Sequence, residues 1–319
     1  MNRVIANLPS CHQRLVDQSI VEQAIQHDLR APFNWRQYAR DLYDLSKPGI
    51  GFYALITTAA SFWLASHGTF DIAFFVKTMI ATALVTCGGG ALNQVLEVIP
   101  DSQMRRTEKR PLPSGRMPVS TGLIFGVSTS IAGVVLMQAF VGSLAALLAI
   151  GTLVGYLFVY TPLKKRTSLS TIIGAFPGAI PILIGWVAVT GTIDIRGWVL
   201  FAILFFWQIP HFLAIAWMYR KDYARAGFPM LTVIDPDGFR AAHQVIVYVL
   251  GLIPISLLPT MLGLTGWIYF VGAFILGVGF AVSGIQTAFQ RTNAAAKRLL
   301  FASIIYLPAL LALMLLDKR

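Results

Sequence analysis

The chain has 319 residues, 56% of them hydrophobic and only 12% charged, with a net charge of +11. A soluble domain carries about 25% charged residues, which excludes an ordinary globular protein. Nor does the positive charge indicate nucleic acid, because the basic residues fall in short clusters between long apolar runs.

Residues 1–48 are polar, mix acids with bases and lack the apolar stretch of a signal peptide. They are expected to form a cytoplasmic N-terminal arm, with helical character around Gln13–Gln26 and Trp35–Leu45 and with Lys47-Pro48 as its end. Residues 49–319 are expected to form the membrane domain. Apolar stretches follow near 49–66, 72–96, 119–138, 140–160, 169–191, 197–219, 243–262, 265–290 and 297–316. Each is about as long as a ~30 Å hydrocarbon core requires of a helix. The expected fold class is therefore all-α, a polytopic membrane bundle of about nine transmembrane helices. Cys11 and Cys87 are the only cysteines, one in the arm and one in a span, so neither a disulfide framework nor a thiolate metal site is expected.

Of the 25 Lys and Arg residues, 21 lie in the arm and the loops that share its side of the membrane. The opposite side holds only Arg196, Lys318 and Arg319, and Lys77 lies within a span. The positive-inside rule then puts the N-terminus and the charged loops in the cytoplasm and the C-terminus outside. Two of the cytoplasmic loops, 97–118 and 220–242, are long for a compact bundle, and long charged loops are where function concentrates.

The first opens with Asn93, Glu97 and Asp101, which share one face of a continuous helix. Oxygen ligands at a membrane surface suit Mg²⁺, which takes a few carboxylates together with substrate phosphates. Pro100 clashes with the carbonyl of Leu96, which sets Asp101 on a bend. Asp222 in the second long loop is a further carboxylate, for which an ion pair with a neighbouring base is an equal reading. Arg106, Arg110, Lys164, Lys165 and Lys221 gather on the same side. Acids that hold a metal and bases that take phosphate oxygens suit a magnesium diphosphate, although the 164–166 cluster also reads as a plain topology signal. Gly88-Gly89-Gly90 reads as a close helix contact rather than a ligand approach.

These residues carry a resemblance. The segment from Asn93 to Arg116 resembles the first aspartate-rich motif of the UbiA-type intramembrane prenyltransferases. The run Met104, Arg106-Thr107, Arg110-Pro111 is more specific and resembles the haem-farnesylating branch of that family. Tyr160-Thr161 through Gly174-Ala175, Pro181 and Gly185-Trp186 agrees with it. So does Trp207-Gln208 through Pro210-His211-Phe212, with Asp222-Tyr223 and Ala226 to Leu231 after it. Three departures stand out: Glu97 replaces the usual Asp, Val98 and Ile99 stand where another acid is usual, and Gly49 replaces an arginine.

The resemblance implies transfer of a farnesyl group from farnesyl diphosphate to a vinyl group of protoheme IX, giving haem O and diphosphate in a bacterial inner membrane. It implies Mg²⁺ as cofactor, haem as substrate, and a downstream haem A synthase or oxidase assembly machinery as partner. On this reading Asn93, Glu97, Asp101 and Asp222 serve catalysis as metal ligands, and Arg106, Arg110, Lys164, Lys165 and Lys221 bind the diphosphate. His211 becomes a candidate haem contact, set against a histidine that satisfies a carbonyl freed by Pro210. A transporter would explain the bundle but favours polar residues near the midplane, and a quinone-type transferase differs only in its acceptor.

Overall fold

The computed structural model describes residues 34–319 apart from Thr69. The expected helix at Gln13–Gln26 lies outside these residues. Residues 41–319 form one compact unit.

Helix α1 (Trp35–Leu45) spans the stretch expected from the sequence. Nine helices of 18 to 25 residues follow among the described residues that are long and apolar enough to cross a membrane. They are α2 (Pro48–Ala65), α3 (Ile72–Leu96), α5 (Val119–Phe140), α6 (Ser143–Leu163), α7 (Ser170–Thr190), α8 (Ile195–Met218), α11 (Phe239–Met261), α12 (Trp267–Gln290) and α13 (Asn293–Leu316). The short helices α4 (Val98–Ser102), α9 (Arg220–Arg225) and α10 (Leu231–Ile234) lie in the two long loops. No named strand occurs among the described residues.

Apolar side chains gain little by meeting one another in lipid, so close backbone approach has to hold such helices together. Glycines supply it at two interfaces. Between α3 and α5, a Cβ on Gly88 would come within 2.7 Å of the Ser130 backbone nitrogen, and one on Gly133 within 2.7 Å of that of Val85. The Gly88–Gly90 run is thus a packing device, as expected. Between α2 and α7, a Cβ on Gly185 would collide with the Thr58 carbonyl, and the Thr58 hydroxyl donates to the Pro181 carbonyl at 2.9 Å. Helices α7 and α8 are the most enclosed. Their Ala175, Ala179, Leu183, Leu200 and Leu204 join residues of α2, α11, α12 and α13 in the main core.

Successive spans alternate in direction. The start of α2, the ends of α3, α6 and α8, and the starts of α7 and α11 therefore share one end of the bundle with both long loops.

Two irregularities shape that end. Helix α3 stops at Leu96, and Glu97 takes a non-helical backbone before α4 resumes at Val98. The break precedes Pro100 by three residues, because it is the Leu96 carbonyl that the proline ring excludes. Helix α6 widens into a π-helical turn over Gly155–Tyr160, just before Pro162. Such turns re-aim side chains and occur often at functional sites.

Candidate functional site

The broken end of α3 faces the π-turn of α6. The Asn93 amide donates to Thr161 Oγ1 at 2.8 Å, and that hydroxyl donates to the Tyr156 carbonyl at 2.9 Å. With its amide nitrogen so committed, Asn93 presents its oxygen to the Lys47 ammonium, which donates to it. Lys47 precedes Pro48 in a left-handed conformation, φ 52° and ψ 60°. That geometry costs a non-glycine residue on the order of 1–2 kcal/mol. Here it turns the lysine inward, where its ammonium also lies 3.5 Å from the Tyr156 hydroxyl.

One turn on, Glu97 is buried and accepts from Lys164 at 3.0 and 3.3 Å. Lys164 is itself only 7% exposed, and its ammonium lies 4.6 Å from the centre of the Phe228 ring. Asp101, 1% exposed, accepts from Arg110 at 2.6 Å. Arg106 donates to the Tyr223 hydroxyl at 2.6 Å and stacks on the rings of Tyr219 and Tyr223 at 5.0 and 4.6 Å. The two long loops are sealed together beneath this contact by Met104, Ala216, Tyr223, Phe228 and Met230.

The charges act on one another. Burial alone would raise the Glu97 carboxyl, but Lys164, Lys47 and Arg110 together hold it below its usual value. Burial also works against the Lys164 charge, yet the neighbouring Tyr160 and Glu97 oxygens raise it above the ordinary lysine value. Lys47 has no such net support. Burial, reinforced by the Arg110 charge, pulls it down to about 7.

The structure thus brings Asn93, Glu97, Asp101, Arg106, Arg110 and Lys164 into one cluster. Asp222 is buried on the second loop, 3.4 Å from Arg225 of its own short helix and next in sequence to Tyr223. Its recorded ion pair is therefore the local one. Lys165 and Lys221 are exposed and are in no ion pair among the described residues, so they stand at the rim. Lys47 and the tyrosines Tyr156, Tyr160 and Tyr223 complete the cluster and were not singled out as site residues from sequence. Only the Lys47-Pro48 step at the entry to the first span and the tyrosine spacing of four, which stacks Tyr156 on Tyr160 at 5.7 Å, could have signalled them.

Among the described residues, no group of three or more His, Cys, Asp or Glu is gathered as a ready-made metal cage. Asn93, Glu97, Asp101 and Asp222 are nevertheless hard oxygen donors. Each faces a protein base that could move to a phosphate, and Mg²⁺ asks for only one or two carboxylates beside substrate phosphates. The donor set fits that ion.

Within the bundle, His211 stacks on Trp207 at 5.0 Å and its Nδ1 lies 2.7 Å from Ser303 Oγ. The Ser303 hydroxyl donates to the Leu300 carbonyl at 2.6 Å, so Nδ1 is the donor to Ser303 and Nε2 keeps its lone pair. The hydroxyl, not a backbone carbonyl freed by Pro210, is its partner.

Residues 54–305 match the model of the UbiA prenyltransferase family. A protoheme IX farnesyltransferase of Solibacter usitatus is 46% identical over 88% of this chain and 99% of its own length. Another from Salinibacter ruber is 44% identical over 87% and 98%. Among solved structures, a digeranylgeranylglyceryl phosphate synthase matches with a TM-score of 0.71 at 17% identity, over 88% of this chain and 98% of its own. A UbiA homologue of Archaeoglobus fulgidus bound to DMAPP and Mg²⁺ matches at 0.63 and 12%, over 86% and 99%. This chain belongs to the UbiA prenyltransferase family.

Proposed function

We propose that the protein transfers the farnesyl group of farnesyl diphosphate to a vinyl group of protoheme IX, giving haem O and diphosphate. The observation that carries this reading is the buried cluster of paired acids and bases at one end of an otherwise apolar bundle. It can receive a diphosphate while the spans shield an isoprenoid tail. The near-full-length relatives named for haem farnesylation supply the donor and the acceptor.

In this reading Asn93, Glu97, Asp101 and Asp222 hold Mg²⁺, which when bound polarises the pyrophosphate leaving group. Lys164, Arg110, Arg106 and Lys47 turn from their present partners to phosphate oxygens and neutralise the charge that develops as the allylic C–O bond breaks. Lys165 and Lys221 act at the rim by steering. The terminal vinyl carbon then bonds to the allylic carbon of the farnesyl chain. The positive charge passes to the carbon beside the macrocycle, and water captures it with loss of a proton. His211 faces the haem through its free Nε2. The charged end lies in the cytoplasm of a bacterial cell, the C-terminus lies outside, and the product passes to a haem A synthase or oxidase assembly machinery.

The test incubates purified protein with haem, farnesyl diphosphate and magnesium in ¹⁸O-labelled water. The expected product is a farnesylated haem carrying one solvent-derived hydroxyl. A farnesylated haem without solvent oxygen refutes the mechanism. A prenylated quinone precursor with no haem product, when both acceptors are offered, refutes the acceptor.

A further inference from the structure

The last turn of α1, residues 41–45, and the two residues after it lie against the last turns of α3 as a strap. Asp41, 3% exposed, accepts from Arg116 Nε and Nη2 at 3.1 and 3.0 Å. Gln94, fully buried, donates through Nε2 to the Asp44 and Leu45 carbonyls at 3.0 and 2.9 Å. The Ser46 carbonyl rests on Gly90, where a Cβ would come within 2.8 Å of it. Leu45, between these contacts, is wholly buried.

Both hydrogen bonds of the Gln94 amide go to the strap. A helix leaves its last carbonyls without intrahelical partners, and Gln94 serves two of them. Its own Oε1 is buried without a partner, which costs on the order of 1–3 kcal/mol. A leucine would fill similar space without that cost, but it could not fix where α1 ends.

Where α1 ends decides where Lys47 points. Ser46 and Lys47 are the whole joint between α1 and α2, and Lys47 takes the left-handed conformation. Its carbonyl accepts from the Ile50 and Gly51 nitrogens in the first turn of α2 at 3.0 and 3.2 Å. Fixed on both sides, the joint delivers the ammonium to Asn93 and Tyr156. Arg116 extends the linkage to the first long loop, donating also to the Lys109 carbonyl at 2.8 Å and to Ser114 Oγ at 3.0 Å. The loop that carries Asp101 and Arg110 is thus latched to the same strap.

Resting on the diphosphate reading of the cluster, we propose that Gln94 and Gly90 are positioning residues. They seat the strap, the Asp41–Arg116 pair latches it, and through it they aim Lys47 at the diphosphate. Their effect on the substrate passes through the single ammonium at the joint.

The test is a double-mutant cycle on pyrophosphate binding with Mn²⁺, followed by calorimetry on the purified full chain in lipid nanodiscs. Lys47→Met is expected to weaken binding by roughly tenfold to a hundredfold, the range of a hydrogen bond to a charged group. Gln94→Leu and Gly90→Ala are each expected to lose most of that same factor. In the Lys47→Met background neither substitution is expected to weaken binding further, because residues that act through one group are not additive. Gly90→Ala changes no hydrogen-bonding side chain and carries the cycle where Gln94→Leu does not fold. Thermal unfolding is read separately, since a merely structural role lowers stability and leaves the binding losses independent of Lys47. Losses that multiply in the double variants, or single variants that bind as the parent does, overturn the positioning role. Unchanged binding in Lys47→Met overturns it too, while leaving the diphosphate site in place. A parent that binds no pyrophosphate overturns both.

Discussion

Replacing Lys164 with Met tests the idea that protein bases occupy the metal ligands until substrate arrives. The ammonium lies 3.0 Å from Glu97 Oε1, with the two side chains 9% and 4% exposed. At an effective dielectric constant of about 20, unit charges at that distance attract by roughly 5 kcal/mol. Desolvation of both groups offsets much of this, and removing one partner from such a buried pair costs roughly 3–5 kcal/mol because the other charge is stranded. Lys164→Met therefore leaves Glu97 in need of a cation. In the parent a divalent ion must first displace Lys164, and in the variant it need not. Relief of about 3 kcal/mol corresponds to roughly a hundredfold in affinity. Mn²⁺ titrated without diphosphate and followed by electron paramagnetic resonance is thus expected to bind the variant up to that much more tightly. Pyrophosphate affinity falls in the same variant, and turnover falls by roughly 10²–10³-fold with the loss of one electrostatic partner. Lys165→Met, exposed and one residue away, is expected to change Mn²⁺ binding little. Unchanged or weaker Mn²⁺ binding in a correctly folded Lys164→Met protein refutes the exchange of partners.

Three further outcomes follow from the same geometry. Asp101→Asn keeps the shape of the Arg110 contact but removes its charge, and is expected to lower turnover by roughly 10²–10³-fold in a protein that still folds; near-normal rates demote Asp101 to a helix-end charge. Lys47 sits at about 7 against an ordinary 10.5, so the unfolded chain holds more protons between those values. Its burden on stability is therefore greatest below pH 7 and fades as the pH rises toward 10.5. Pyrophosphate restores its ammonium form, so binding is expected to take up close to one proton at about pH 8 and almost none below about pH 6. Calorimetry in buffers of different ionisation enthalpy checks this, and a buffer-independent heat refutes it. Gly185→Ala places a methyl against the Thr58 carbonyl and is expected to destabilise the α2–α7 contact by roughly 1–3 kcal/mol, read as a lower inactivation temperature.

The spans were legible because lipid imposes a length, and an unbroken apolar run of that length has few other uses. All nine lie within a few residues of where composition puts them. The break at the head of the first long loop was legible through Pro100, whose ring excludes one particular carbonyl, so Asp101 falls on a separate turn. The partners of the acids were not legible. Glu97 and Lys164 are 67 positions apart, and Asn93 and Lys47 are 46. Neither separation has a periodicity, because the contact depends on how α3 is rotated against α6 and on the extra residue in the π-turn. Lys164 and Lys165 look alike in sequence, yet the turn buries one and exposes the other.

The pairing also answers a problem that the site sets for itself. Carboxylates held ready for a metal inside a low-dielectric bundle would repel one another and resist ionisation. A base beside each acid keeps Glu97 charged without any bound ion, and in the proposed function the same base becomes a phosphate ligand once a metal replaces it. Each exchange keeps the acid ionised and frees a protein cation for the diphosphate, so on the proposed function the metal and the diphosphate strengthen each other's binding by the same factor. Metal alone meets Lys164, and diphosphate alone meets Glu97. Only the two together satisfy the cluster, and that condition ties cleavage of the allylic bond to a fully loaded site.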